Sequence, residues 1–349
     1  MQTLSSPQRT QHYSIHAARS LRALLLTTAV ALLFGAAPVL AQAQRFPSKP
    51  IRMLMPNPPG GPTDIVARAY VEKLSTNLGQ PVILEYRPGA NGALVANSTI
   101  AAPADGYTLA FSSIGGQAIG PAANEYKKTR SGPDVLRELA PVSLLGEQTL
   151  LLVVSPTLGV STVKEFIELI RKNPGKYNFT SAAGVGGIDH LGGELFNKEF
   201  GLTAVHVPVN GVAPAISSLI TGETHYWFGP PAPLLPQYKA GKIKILASGS
   251  SRRAALFPEV PTVAEAAGLP GFELAVWWGI LVRTGTDKDI VNRLSREIQK
   301  VAEDPGIGER LAGFGIEAKG SSPEEFGRRI TADVQKWLNL MEKTRVTLD

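Results

Sequence analysis

The stretch IRMLMPNPPGGPTDIVARAYVEKLSTNL, residues Ile51 to Leu78, decides the fold class. It opens on the apolar run Ile51 to Met55 and turns through Pro56-Asn57-Pro58-Pro59-Gly60-Gly61-Pro62-Thr63-Asp64. It then continues with apolar residues at helical spacing from Ile65 to Leu78. A strand, a glycine-rich turn and an amphipathic helix in that order form one βα unit. Working outward, the unit recurs: Val82 to Tyr86, a helical stretch after Asn91, and Thr108 to Ser112. The rhythm resumes with Leu150 to Val154, a helix after Thr162, Tyr177 to Thr180, a helix after Asp189, Thr203 to Val207, a helix after Gly211, and Lys242 to Ala247. Such alternation predicts an α/β fold of parallel sheets covered by helices, in two blocks that suggest two lobes.

Helix starts are legible at two further places. Thr162 with Glu165 forms a capping box, and Ser322-Pro323-Glu324-Glu325 repeats the device with proline at the first helical position. The last helix carries Phe326, Ile330, Val334, Trp337 and Met341 at helical spacing, which reads as a core-facing stripe.

The chemistry concentrates in a second glycine-rich turn that matches the first, Thr180-Ser181-Ala182-Ala183-Gly184-Val185-Gly186-Gly187-Ile188-Asp189-His190. Both turns lead from an apolar strand into a helix, and both offer an acid, Asp64 or Asp189, as a helix cap. Glycine lets a ligand approach the backbone closely, and a helix start offers unpaired N–H groups and the positive end of a dipole. Each turn is therefore an anion seat that needs no basic side chain. Charge-assisted hydrogen bonds net about 1.5–3 kcal/mol each, and a helix terminus adds about 0.3–1 kcal/mol. Four or five contacts would support a micromolar complex, about −8 kcal/mol.

Other chemistries are poorly represented. Gly184-Val185-Gly186 has Asp189 where a dinucleotide fingerprint needs glycine, and no phosphate-loop lysine motif occurs. The chain has no cysteine, which excludes disulfides, thiolate catalysis and a cysteine-linked lipid. His190 with Glu194 is a lone pair four residues apart, without the third ligand of a zinc site. No metal or cofactor is expected. Ser181 near His190 is the one pairing that resembles a nucleophile with its base, and a secreted hydrolase is kept as an alternative on that ground.

The first residues place Arg9, Arg19 and Arg22 before the apolar run Ala23 to Phe34 and the small-residue stretch Ala41-Gln42-Ala43. This is the plan of a secretory leader, residues 1–43, cleaved after Ala43 or at the neighbouring Ala41. The apolar run is shorter than the ~20 residues that span a bilayer. Removing 43 of 349 residues leaves about 306, enough for two domains. The leader holds three of the 35 basic residues and none of the 29 acids, so the remaining charge is nearly balanced and argues against nucleic acid as a partner. The expected product is a soluble periplasmic monomer.

Taken in order, the turns and their surroundings resemble the substrate-binding proteins of tripartite tricarboxylate transporters, the Bug (Bordetella uptake gene) family. The likeness runs through Pro50-Ile51-Arg52, Gly60-Gly61-Pro62-Thr63-Asp64, Leu78-Gly79-Gln80-Pro81, Arg87-Pro88-Gly89-Ala90-Asn91-Gly92 and Asp105-Gly106-Tyr107-Thr108-Leu109. It continues through Ala140-Pro141-Val142-Ser143, His190-Leu191, Glu194-Leu195-Phe196, His206-Val207-Pro208, Lys239-Ala240-Gly241-Lys242, Val260-Pro261-Thr262-Val263-Ala264-Glu265-Ala266 and Trp278-Gly279. The resemblance implies a type II periplasmic-binding-protein fold, with two Rossmann-like lobes joined by crossing strands and closing on ligand as a Venus flytrap. One lobe would comprise residues 44–145 with 271–349, the other residues 146–270. It also implies a non-enzymatic receptor that captures a small organic carboxylate and hands it to the membrane subunits of the transporter. A ligand-binding sensor for a membrane kinase is the alternative that shares the same pocket.

Carried onto this sequence, the resemblance puts Gly60, Gly61, Thr63 and Asp64 in the first ligand loop and Gly184, Gly186 and His190 in the second, and Asn57 and Gly187 of the same turns are expected to join them. Ser112, Ser113 and Asn210 are expected in the walls. Several positions depart from the family pattern. Gly187 stands where serine is usual, Gly229 where many relatives have aspartate, and Val209-Asn210 where Tyr-Lys is commoner. Residues Lys127 to Arg137 form an atypical insertion, read as a surface loop. Loss of an acid at 229 leans against an amino-acid ligand and toward an aliphatic or aromatic carboxylate, with Tyr226, Trp227 and Phe228 as either pocket wall or core.

Overall fold

The computed structural model describes residues 46–348, except 90, 91, 130 and 131. The expected leader and its cleavage site lie outside the described residues. From Phe46 onward the chain clusters as one compact unit.

A six-stranded sheet has the order β11-β4-β10-β3-β1-β2. Its strands are β1 (Ile51–Met55), β2 (Val82–Tyr86), β3 (Thr108–Ser113), β4 (Leu139–Thr149), β10 (Ala275–Arg283) and β11 (Glu317–Ala318). β1 pairs in parallel with β2 and β3, whereas β10 is antiparallel to both β3 and β4. A five-stranded sheet has the order β7-β6-β8-β5-β9. It is built from β5 (Leu151–Val154), β6 (Asn178–Ser181), β7 (Val205–Pro208), β8 (Tyr226–Gly229) and β9 (Lys244–Ser248). Here β6 runs parallel to β7 and β8, and β5 runs against β8 and β9. The α/β expectation therefore holds, but neither sheet is purely parallel: β10 and β11 run against the other strands of the first sheet, and β5 against those of the second.

Helices cover both sheets. In chain order they are α1 (Pro62–Leu78), α2 (Ala93–Ala101), α3 (Gly120–Tyr126), α4 (Val135–Glu138), α5 (Val163–Lys172) and α6 (Ile188–Phe200). They continue with α7 (Val212–Thr221), α8 (Pro231–Lys239), α9 (Val263–Ala267), α10 (Lys288–Ala302), α11 (Pro305–Ala312) and α12 (Pro323–Thr344). The capping boxes at Thr162 and Ser322 form as the sequence predicts, and Thr262 with Glu265 makes another. Along α12, Phe326, Ile330, Trp337 and Met341 are buried and Val334 packs against the same cluster. Each large side chain so buried contributes roughly 1.5–3 kcal/mol.

The chain crosses between the sheets twice, and main-chain bonds hold the two crossings together. β4 runs into β5 through Leu150, and the return passes Gly249 and Leu274 on its way from β9 to β10. Leu150 N–H donates to Leu274 O (3.0 Å), Leu274 N–H to Gly249 O (2.5 Å), and Gly249 N–H to Leu150 O (2.8 Å). The three residues thus close a ring of backbone hydrogen bonds where the two sheets meet.

Alternation along β8 sends Tyr226 and Phe228 to one face and Trp227 and Gly229 to the other. Tyr226 and Phe228 join a core shared with Phe166, Phe196 and Phe272, and Trp227 packs with Leu151, Val153, Leu219 and Leu234. All three aromatic residues are core rather than pocket wall. The insertion at Lys127 to Arg137 is largely exposed and ends in the short α4, where Asp134 caps Arg137 N.

Candidate functional site

Because β1 and β3 are parallel neighbours, the turn after β1 and the end of β3 lie at one edge of the first sheet. Asn57, Gly60, Gly61, Thr63, Asp64, Ser112 and Ser113 gather there. In the second sheet β6, β7 and β8 are parallel, so the segments that follow them share an edge in the same way. Gly184, Gly186, Gly187, His190 and Asn210 gather at that edge, and an isolated bridge between Ala183 and Asn210 ties the segment after β7 to the turn after β6. The sites expected from the sequence thus fall into two clusters, one per sheet.

In the first turn the helix begins at Gly61, with extended backbone (φ −86°), and Pro62 occupies the first helical position. Proline suits that place because its missing N–H would have no helical partner. Asp64 is therefore not the cap that the sequence suggests. It sits inside the first turn, buried, and reaches back to accept from Gly60 N (2.9 Å). Its carboxylate also accepts from Arg68 Nε (2.9 Å) and Tyr86 OH (2.5 Å). Burial pushes the Asp64 pKa up, but Tyr86, Gly60 and Arg68 together outweigh it and hold it below the ordinary value. Thr63 Oγ1 donates to Asn57 Oδ1 (3.1 Å), which braces the loop from the other side. The amides of Gly61, Thr63 and Asp64 find no acceptor among the described residues.

The second turn is built on the same plan with different parts. Gly187 is the helix cap, and Asp189 lies inside the first turn rather than at the cap position. Its Oδ2 accepts from Ala182 N (2.5 Å), Ala183 N (3.3 Å) and Trp227 Nε1 (2.9 Å). Burial raises its pKa against the pull of these donors. Asp189 makes no ion pair among the described residues, in contrast to Asp64 with Arg68. Gly184 (φ +76°) and Gly186 (φ +75°) adopt the left-handed backbone that other residues seldom take. The amides of Gly184, Val185, Ile188 and Asp189 have no acceptor among the described residues. A Cβ at Gly187 would stand 2.6 Å from Ala183 Cβ, so a side chain such as serine has no room here.

His190 is buried beneath this turn, where its Nδ1 accepts from Gly186 N (3.0 Å). Its ring stacks on His206, and burial, aided by His206, lowers its pKa to about 4. His206 is lowered to about 4 by burial as well. Ser181 is fully buried and its Oγ lies 2.8 Å from His206 Nε2, not beside His190. The pairing that resembled a nucleophile and its base is thereby replaced by an internal polar contact. Among the described residues no cluster of three or more His, Asp or Glu could hold a metal. The half-buried Ser112 and Ser113 pair with Gly279 and Trp278 of β10. An open cavity of about 410 Å³ lined by Arg68, Val71, Glu72, Leu84 and Arg310 contains none of the expected site residues.

Sequence reasoning missed Tyr86, Trp227 and His206. Arg68 was missed as well, although its spacing of four from Asp64 is a local signal that could have found it. The others come from distant parts of the chain, and local spacing carries no trace of them.

Comparison with known proteins agrees with this architecture. The profile of the tripartite tricarboxylate transporter family receptor matches residues 66–346. BugT of Bordetella pertussis is 33% identical over 314 residues, covering 90% of this chain and 94% of that protein. A solved periplasmic transporter is 34% identical, with a TM-score of 0.72 over 87% of this chain and 100% of that one. A Rhodopseudomonas palustris protein solved with adipate is 28% identical, with a TM-score of 0.72 over 86% of this chain and 99% of that one.

Proposed function

Since the chain belongs to the tripartite tricarboxylate transporter receptor family, whose members are binding proteins and not enzymes, we propose that it captures a small organic carboxylate in the periplasm for the membrane subunits of such a transporter. Two lobes hinge at Leu150, Gly249 and Leu274 and close over the ligand. The observation that carries this reading is the pair of helix-start turns, each with three or four amides uncommitted among the described residues and an acid that props the turn open from behind.

The two turns are electrically unequal. Asp64 is matched by Arg68 at 2.9 Å, whereas Asp189 has no cation among the described residues. A ligand carboxylate is repelled less by the first turn, which makes Gly61, Thr63 and Asp64 N–H the favoured seat. No acid stands at Gly229, and Asp189 is buried and committed to its own donors. An ammonium group thus lacks a partner, which favours carboxylates without an amino group. Adipate, held by a relative of the same architecture, is a ligand of that class. Periplasmic placement is supported by solved relatives described as a periplasmic transporter and as the periplasmic binding protein BugD.

The test is a thermal-shift screen of purified protein against mono-, di- and tricarboxylates including adipate, with aspartate and glutamate as the aminated controls. Saturating ligand at 100 times its Kd raises stability by about 2.7 kcal/mol. Stabilisation by unaminated acids alone is the expected result. A flat response across the panel refutes carboxylate capture, and a response confined to the amino acids refutes the ligand class.

A further inference from the structure

Behind the second turn runs a chain of contacts that the ligand seat does not itself contain. Trp227 is buried on β8, its indole N–H donating to Asp189 Oδ2 at 2.9 Å. That same oxygen takes the amides of Ala182 and Ala183, the two residues that open the turn. The other oxygen, Oδ1, accepts from His190 N at 3.1 Å. Asp189 therefore stands at a junction between a core aromatic ring and the ligand turn. On the far side of the ring lies Gly229. A Cβ there would meet three atoms of the indole at 2.5–2.9 Å, so the space beside Gly229 is taken by Trp227. Gly229 is extended at the end of β8 and does not have the left-handed backbone that calls for glycine. Room for the indole is what requires glycine at that position.

We propose that Trp227 is a positioning residue for the second turn, holding through Asp189 the amides of Ala182 and Ala183 so that the turn keeps its open form. The indole N–H is the one side-chain donor in this junction. Without it, a buried carboxylate keeps only main-chain donors and takes up a proton more readily. The protonated acid has one fewer acceptor site for the amides of Ala182 and Ala183, and the turn loosens. The groups facing Asp189 and its neighbour are few: Trp227 from β8, His190 and Glu194 on its own helix, and His206 stacked on His190 from β7.

The proposal rests on the second turn belonging to the ligand site, but its test needs no ligand, so failure of one is distinguishable from failure of the other. Amide exchange is read residue by residue by NMR in wild type and in Trp227→Phe, which keeps an aromatic ring and removes the donor. Protection at Ala182 and Ala183 is expected to fall about tenfold, with Gly60, held by Asp64 in the other turn, unchanged. The loss should deepen at lower pH by more in the variant than in wild type, because removing the indole donor raises the Asp189 pKa beyond what burial already does. Protection at wild-type level, or an equal loss at Gly60 with no pH dependence, overturns the proposal. Should Trp227→Phe not fold, Gly229→Ala displaces the ring while keeping the indole. It is expected to give the same pattern, and unchanged protection at Ala182 and Ala183 in that variant overturns the proposal as well.

Discussion

The imidazoles of His190 and His206 stack with centroids 3.7 Å apart and planes 13° from parallel, directly under the turn that carries Gly186. Both are held neutral, their pKa values lowered from 6.5 to about 4, chiefly by burial. An unfolded chain binds protons on these rings from about pH 6.5 downward, and the folded chain does not until about pH 4. Their contribution to stability is thus complete above pH 6.5 and is lost as pH falls through that window. Solvent around the half-buried His206 and the coupling of the two rings discount their sum, so the pair together contributes on the order of 3 kcal/mol. Asp189 and Glu194, both raised by burial, act with the opposite sign and blunt the loss at the acid end. The unfolding midpoint should fall steadily between pH 6.5 and 4.5, and His206→Phe, which keeps a stacked ring, should flatten that slope. A slope unchanged in the variant would separate acid sensitivity from this pair.

Gly61 is the clean place to obstruct the proposed ligand seat. Its backbone is ordinary extended chain and a Cβ there meets nothing within 4 Å. Gly61→Val should leave stability within about 1 kcal/mol, the scale of a changed helix cap, while carboxylate affinity falls tenfold or more. Titration calorimetry beside thermal unfolding reads both quantities, and full affinity in this variant would remove the first turn from the site. Gly186→Val is a poorer probe. At φ +75° valine costs on the order of 1–3 kcal/mol in backbone strain, and its Cβ would touch Leu348 at 3.5 Å. Lost binding there would report a distorted turn as much as a blocked ligand.

Gly249 sets the tolerance of the crossing point. A Cβ would sit 2.8 Å from Leu150 O, the acceptor of Gly249's own N–H. Neither partner is a flexible side-chain tip, so Gly249→Ala must displace main chain in the ring with Leu150 and Leu274. The expected cost is about 1–3 kcal/mol, the range for overpacking a fitted interior. Urea unfolding measures it, and a midpoint equal to wild type would mean that the crossing yields freely.

Local periodicity made the parallel half of each sheet readable, because β1, β2, β3, β6 and β7 each announce themselves as a short apolar run before a turn and a helix. Two central strands of the first sheet, β10 and β4, are different. β10 is apolar almost throughout and buried on both faces, so it has no alternation to betray it, and β4 earns its eleven residues from pairing with β10 rather than from its own pattern. The glycine turns were legible for the same local reason. What props them was not. Asp64 and Asp189 read as caps because an acid near a helix start usually is one. In the fold they point backward, toward donors in the turn and toward Tyr86 and Trp227 from other strands. Ser181 lies nine residues before His190 in sequence, yet the parallel register of β6 with β7 delivers it to His206.

The mutual exclusion of the Trp227 ring and any side chain at position 229 also constrains how this binding protein can change over generations. A lineage acquiring an acid at 229 while keeping tryptophan at 227 passes through a form with two groups in one volume. Reaching that acid requires either displacing the indole or exchanging the tryptophan for something smaller, and each step first slackens the neighbouring turn. Whichever substitution comes first, the lineage passes through a form in which the second turn has lost its indole support.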